Sequence, residues 1–392
     1  MSLTLDEKKQ FAGCYGTFVI NGALALSIGA LLPYIRASYG FDYTFQGILV
    51  SLHSVGNLLS SFLAGMLPLW IGKRQSMLFF STFFAAAFLI VSLTGNPVLL
   101  AAAFLMTGLA RGAVSNFNNV VINSIATGKA WALNTLHAMF SIGAFIAPLV
   151  ILLCTGNNPE NWRFVCYILI ACGVIEILIY GTLPIHDNYP KKAKKTADKS
   201  DGNYGFFSDK QFWICTLTLF FYLCAEQGVI GWMVTYFKDS GLLSAGFAQV
   251  MASVLWLLIL AGRLTVAKLS VRFNKSKLLG LMGIGCLVFF VIVMLGRSLP
   301  LITIGIAGFG FSMAGVYPTT VSLSGEAIKK YPLAWSFMLT LASFGSIIMP
   351  SIIGAVAESA GLYAGMLTIV IAVVVLLALI TVNFIKHRSE AE

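Results

Sequence analysis

Long apolar runs separated by short polar breaks dominate the chain. They fall near residues 11–34, 45–71, 76–95, 98–126, 130–154, 163–184, 211–237, 243–267, 277–296, 299–325, 332–357 and 361–385. Each is close to the roughly 20 residues that an α-helix needs to cross hydrocarbon. The pattern therefore predicts an all-α integral membrane protein with twelve transmembrane helices. One stretch breaks the rhythm: residues 185–210 are polar and basic, unlike either flank. It predicts a first six-helix half over 1–184, a cytoplasmic basic linker over 185–210 and a second six-helix half over 211–392.

Composition sharpens this class. Hydrophobic residues make up 58% and charged residues 10% of the chain, against about 25% charged in soluble domains, so most of the surface must face lipid or other helices. The first residues carry Asp6, Glu7, Lys8 and Lys9 and lead into a full-length span with no small-residue cleavage pattern, so no removable leader is expected. With the N-terminus inside, only Arg36, Arg163, Lys238 and Arg297 fall in outer loops, and nearly all other basic residues fall in inner ones. That asymmetry places both termini in the cytoplasm and explains the net charge of +10 without a nucleic-acid partner. The cluster Lys191, Lys192, Lys194, Lys195 and Lys199 is expected to be a solvated linker near anionic lipid. The seven cysteines are scattered with no metal-ligand spacing, and no phosphate-binding loop or dinucleotide fingerprint is present, so no cofactor or metal is expected.

Internal repetition supports the division into halves. Leu63, Ala64 and Gly65 match Leu260, Ala261 and Gly262; Gly143 and Pro148 recur as Gly345 and Pro350; Asn21 and Gly22 correspond to Gln227 and Gly228. The matches run in the same order at nearly constant offset, as expected of two related halves that support alternating access around a site at their interface.

Midway along the run 212–237 stands Glu226. An acidic side chain at a helix centre costs about 2.5 to 3.5 kcal/mol to insert, so it marks an ion or substrate path and is the leading proton site. The charge has a counterpart in Arg111 of span 4.

Gly65, Gly72, Lys73 and Arg74, their partners Gly262 and Arg263, and glycine-rich spans 4 and 10 resemble the major facilitator superfamily over essentially the whole length. In the loop between spans 2 and 3 the resemblance calls for an Asp and a basic residue where this chain has Leu69 and Trp70. Leu133, Asn134, His137, Phe140, Gly143 and Pro148, with Ala225, Glu226, Gly231, Trp232, Tyr236, Gly315, Tyr317 and Pro318, are similar to spans 5, 7 and 10 of the fucose:proton symporter family. That resemblance implies proton-driven monosaccharide uptake. It also implies carboxylates in spans 1 and 4, where this chain has Asn21 and Arg111, so either Glu226 carries the proton or transport is uncoupled.

If the superfamily architecture holds, spans 1, 4, 7 and 10 line the cavity and Arg111 and Glu226 can approach. Three roles stay open for them: a proton switch, a static ion pair, or an Arg111 anchor for an anionic substrate. His137, with Asn134 one turn earlier, is either a hydrogen-bonded interior imidazole or a second proton-sensitive group. His53 and Asn57 invite the same two readings, while Glu176 in span 6 is expected to be structural. Amides offer the donors and acceptors that sugar hydroxyls need, which singles out Asn21, Asn119 and Gln227; span 4 also carries Asn116, Asn118 and Asn123, which can equally tie helices together. Trp232, Trp256 and Tyr317 are candidate apolar walls for a sugar ring. Gly228, Gly231, Pro148, Pro318 and Pro350 are candidate hinges or close-packing points.

The expectation is a monomeric secondary transporter of the cell (inner or plasma) membrane, not an enzyme. It would import a neutral polyhydroxylated solute with protons by alternating access, with the bilayer, protons and the small solute as its partners. Efflux of drugs or metabolites, or transport of an organic anion anchored by Arg111, are the alternatives.

Overall fold

A computed structural model describes residues 4–126, 130–185, 204–270, 272–324, 328 and 330–389. Among them are twelve helices long and apolar enough to cross a membrane. The chain divides into two compact units, Met1–Ala193 and Lys194–Glu392. Lys191, Lys192, Lys194, Lys195 and Lys199 of the expected linker lie outside the described residues.

The first unit comprises α1 (Leu5–Tyr39), α2 (Tyr43–Met66), α3 (Lys73–Leu93), α4 (Pro97–Ile125), α5 (Ala130–Thr155) and α6 (Trp162–Thr182). The helices overrun their apolar cores because polar residues cap them. Thr4 and Glu7 form a reciprocal capping box that starts α1 six residues ahead of the apolar run, and Gly40 ends it in a left-handed turn at φ 71°. Asp42 caps α2 by accepting from the Phe45 N–H at 2.7 Å, and Asn96 caps α4 ahead of Pro97 at its first position. Pro68 ends the long α2 run and leaves a separate single turn, Pro68–Ile71, on which Leu69 and Trp70 are exposed.

The second unit comprises α7 (Lys210–Asp239), α8 (Ala245–Leu269), α9 (Lys275–Leu295), α10 (Leu299–Met313, resuming as Val316–Leu323), α11 (Pro332–Ala360) and α12 (Leu362–Ser389). The run 299–325 suggests one unbroken helix, yet α10 is interrupted at Ala314 and Gly315. Pro318 explains the place: it lacks the N–H that would bond the Ala314 carbonyl, and its ring crowds that group. Within the stretch assigned to the linker, Gly205–Ser208 form a short 3-10 turn that buries Phe206 against Phe212 (ring centroids 4.9 Å) and Phe337 (5.7 Å), so this end of the linker is fastened to α7 and α11.

The two units repeat one internal pairing. In the first, α1 packs on α5, α2 on α4 and α3 on α6; in the second, α7 packs on α11, α8 on α10 and α9 on α12. The recurrent glycines account for the tightest of these contacts. A Cβ at Gly143 would collide with the Val19 carbonyl of α1, and one at Gly345 would collide with the Phe220 carbonyl of α7. Gly22 in turn lies against the Phe140 carbonyl, and Gly56 and Gly108 allow the same approach between α2 and α4. Small residues let helix backbones meet where lipid gives no hydrophobic drive for association. Pro148 and Pro350 lie inside continuous α5 and α11.

A buried polar knot joins three helices of the first unit. Asn118 donates from Nδ2 to Thr17 Oγ1 (2.9 Å) and to the Cys14 carbonyl (3.3 Å), while its Oδ1 accepts from the Tyr180 hydroxyl at 3.0 Å. All three side chains are fully buried, and the Thr17 hydroxyl passes its own hydrogen to the Gly13 carbonyl.

Gly143→Ala and Gly345→Ala are each expected to lower the melting temperature of the detergent-solubilised protein by several degrees. Gly181→Ala, at a helical glycine with open space around it, should leave it unchanged or raise it slightly. Equal melting temperatures for all three variants would show that the close approaches contribute nothing.

Candidate functional site

Each unit carries one polar face built from membrane-embedded side chains. In the first, α1, α4 and α5 supply it. Arg111 of α4 is half-buried and sits over the Phe140 ring of α5, 5.8 Å from its centroid. Phe140 meets Phe18 of α1 edge-on at 5.9 Å, and the same Phe18 meets the His137 ring at 5.7 Å. Arg111 and His137 thus border one aromatic pair. A guanidinium over a ring gains cation–π attraction.

The amides are held by Ser115, one turn beyond Arg111. Asn21 of α1 donates from Nδ2 to Ser115 Oγ at 3.0 Å, and Asn119 donates from Nδ2 to the Ser115 carbonyl at 2.7 Å. Asn21 is 1% exposed, and its buried Oδ1 has no hydrogen-bond partner among the described residues. The structure therefore brings Asn21, Asn119, Arg111 and His137 onto one face. Asn134 lies exposed one turn before His137.

Other polar groups of this unit are occupied elsewhere. His53 is buried with Nδ1 2.8 Å from Thr107 Oγ1. The Thr107 hydroxyl spends its one hydrogen on the Phe104 carbonyl at 2.6 Å, so the imidazole is the donor and the Nδ1–H tautomer is fixed. Asn116 reaches back to the Ser61 carbonyl at 3.4 Å, and Asn118 belongs to the knot with Thr17 and Tyr180. Glu176 is 1% exposed on α6, its carboxyl facing Ser81 of α3.

The second unit centres on Glu226 of α7. Its Oε1 accepts from the Tyr222 hydroxyl, one turn earlier on the same helix, at 2.8 Å. That bond offsets part of the cost of carrying a carboxyl group to this depth. Tyr317 of α10 packs its ring 6.0 Å from that of Tyr222, just beyond the break at Gly315. Arg263 of α8 lies within electrostatic reach of Tyr222 and stands over the Trp256 ring at 5.9 Å. Carboxylate, phenols and guanidinium thus share one region, and Gln227, half-buried, is next to Glu226 in sequence.

The two candidate tryptophans occupy packed positions. Trp232 is fully buried, and its ring N–H is donated to the Pro350 carbonyl at 3.2 Å, which ties α7 to α11 at the carbonyl beside the α11 proline. Trp256 is 4% exposed beneath Arg263. Sequence reasoning passed over Tyr222 and Ser115 as site residues, although both stand at the helical spacing that brings side chains together: Tyr222 four before Glu226, and Ser115 four after Arg111.

Comparison with known proteins gives a consistent picture. The family model described as Major Facilitator Superfamily matches residues 14–332. The Protein TsgA homolog of Buchnera aphidicola subsp. Baizongia pistaciae (strain Bp) is 20% identical over 90% of this chain and 89% of its own length. The glucose/mannose transporter GlcP of Bacillus subtilis (strain 168) is 23% identical over 87% and 86%. Among solved structures, the nucleoside transporter NupG superposes with a TM-score of 0.75 at 16% identity, covering 98% of this chain and 99% of that one. A bacterial homolog to the human lysosomal transporter Spinster, in an inward-facing and unoccupied conformation, gives 0.80 at 14% identity, with 98% of each chain covered. At these identities the structural likeness shows the fold alone.

Trp232→Phe is expected to lower thermal stability, by loss of the bond to Pro350, while leaving KM for a transported solute unchanged. A raised KM at unchanged stability would move Trp232 from the packing of α7 on α11 to the substrate wall.

Proposed function

The chain belongs to the Major Facilitator Superfamily and is a multi-pass membrane transporter, not an enzyme, and from that premise we propose that it takes up a neutral polyhydroxylated solute, a monosaccharide or close relative, with protons, by alternating access. Both termini lie in the cytoplasm in this reading. One observation carries it: a carboxylate in the apolar middle of α7, half-buried and held by the Tyr222 hydroxyl at 2.8 Å. A carboxylate with a hydrogen-bonding partner and access to its surroundings can take up and release a proton as access changes sides. Arg263 lies within electrostatic reach of the same tyrosine, so a solute or proton arriving there meets both signs of charge.

The first unit supports the choice of solute class. Asn21 and Asn119 offer acceptors and Arg111 offers donors, and a sugar hydroxyl satisfies both in turn. The similarity over most of the chain to a protein described as a glucose/mannose transporter adds weight to a hexose. An organic anion is the second reading, favoured by one observation: Arg111 is a half-buried cation on a helix that carries no acidic residue. In that case Arg111 anchors a carboxylate or phosphate of the solute.

The test is uptake into proteoliposomes of labelled D-glucose, D-mannose and uridine, and of a sugar acid, with and without an inward proton gradient. The account expects gradient-driven accumulation of a hexose that is lost in Glu226→Gln, while counterflow at equal pH survives. Accumulation unaffected by Glu226→Gln would overturn the proton assignment, and flux of uridine or the sugar acid alone would overturn the solute class. Arg111→Gln, which keeps an amide donor, should leave affinity for a neutral hexose within about threefold, and should cost a charged solute about tenfold or more if Arg111 pairs with its charge.

A further inference from the structure

Asn21 and Asn119 each spend an amide N–H on the same residue. Ser115 accepts from Asn21 through its hydroxyl at 3.0 Å and from Asn119 through its backbone carbonyl at 2.7 Å. The second bond fixes the orientation of Asn119, because a carbonyl only accepts and the atom facing it must be nitrogen. The first leaves Asn21 Oδ1 buried and without a hydrogen-bond partner among the described residues, an arrangement that costs stability until a donor reaches it. Two amides with a nitrogen engaged keep their oxygens, and so the pair is weighted toward acceptance. One turn before Ser115 on the same helix, Arg111 supplies donors only.

We propose that Ser115 is a positioning residue that aims the amide oxygens of Asn21 and Asn119 at the solute, so that this half selects solutes by the hydroxyl hydrogens they donate. The inference rests on the polyhydroxylated-solute reading and deepens it. Hydroxyls that donate to the two amide oxygens can also accept from Arg111 with their own lone pairs, whereas a carboxylate can accept from Arg111 but has no hydrogen to give the amides. Amide oxygens repel an anion, so the arrangement favours a neutral polyol over an organic anion even beside an arginine.

The experiment measures counterflow of D-glucose and D-mannose, and competition by the monodeoxyglucoses, for the parent, Ser115→Ala and Ser115→Thr in proteoliposomes. Ser115→Ala is expected to raise KM about tenfold with Vmax retained, the effect of one lost positioning hydrogen bond. The penalty that the parent imposes on at least one deoxyglucose should shrink in the same variant, and Ser115→Thr, which keeps the hydroxyl, should restore both. Ser115→Cys gives the same readout should the alanine variant not fold. If the parent carries glucose and Ser115→Ala keeps both KM and discrimination, or Ser115→Thr is as poor as alanine, the positioning role is overturned and the polyol reading stands. If the parent carries neither hexose and recognises no deoxyglucose, the polyol reading falls and this inference with it.

Discussion

Hydrocarbon offers no hydrogen bonds, so each polar group carried into the membrane must be answered from within the protein, and the arrangement of both halves follows from how that demand is met. Backbone groups meet it by helix formation. Side chains meet it in pairs and knots: Asn118 with Thr17 and Tyr180, His53 with Thr107, Trp232 with the Pro350 carbonyl, and Glu226 with Tyr222. The first three are buried and hold helices together. Glu226 is half-buried and accepts from the Tyr222 hydroxyl, and among the described residues nothing answers the Asn21 oxygen. These incompletely satisfied groups are where a proton or a solute gains most by binding.

The same demand explains the repeated glycines. A helix pair that must contact without hydrophobic drive gains from backbone proximity, and Gly143 and Gly345 provide it at equivalent places on α5 and α11. The close packing of α1 on α5 and of α7 on α11 fixes the rotation of α1 and α7. Those helices carry Asn21 and Glu226, so the orientation of each candidate group is set by a glycine on a neighbouring helix. The two halves share this scaffold and differ in chemistry. One presents amides and a guanidinium on α1 and α4; the other presents a carboxylate and phenols on α7 and α10.

Hydropathy was enough to find the twelve helices, because bilayer thickness sets their length and the apolar runs are long. It was weaker at their ends, where Thr4 and Asp42 extend helices into polar sequence, and blind to the break in α10, which depends on what Pro318 does to the Ala314 carbonyl. Glu226 and Arg111 stood out by the cost of burying charge. Trp232 could not be placed from sequence, since an indole in a span can line a cavity or donate inside a packed interface, and only the Pro350 carbonyl at 3.2 Å shows which. Asn118 and Asn119 are neighbours of identical chemistry pointing about 100° apart on one helix, so one is locked in a knot and the other is held on Ser115. Tyr222 was readable in principle from its spacing to Glu226, but a tyrosine in an apolar run raises no signal by itself.

The central claim is that Glu226 moves the proton that accompanies the solute. Proton movement driven by solute tests it most directly: a hexose gradient is applied to proteoliposomes holding a pH-sensitive dye in the lumen, with no initial pH difference. The account predicts lumenal acidification as hexose enters through the parent, and hexose entry without acidification through Glu226→Gln. Acidification of equal extent in both proteins would contradict it.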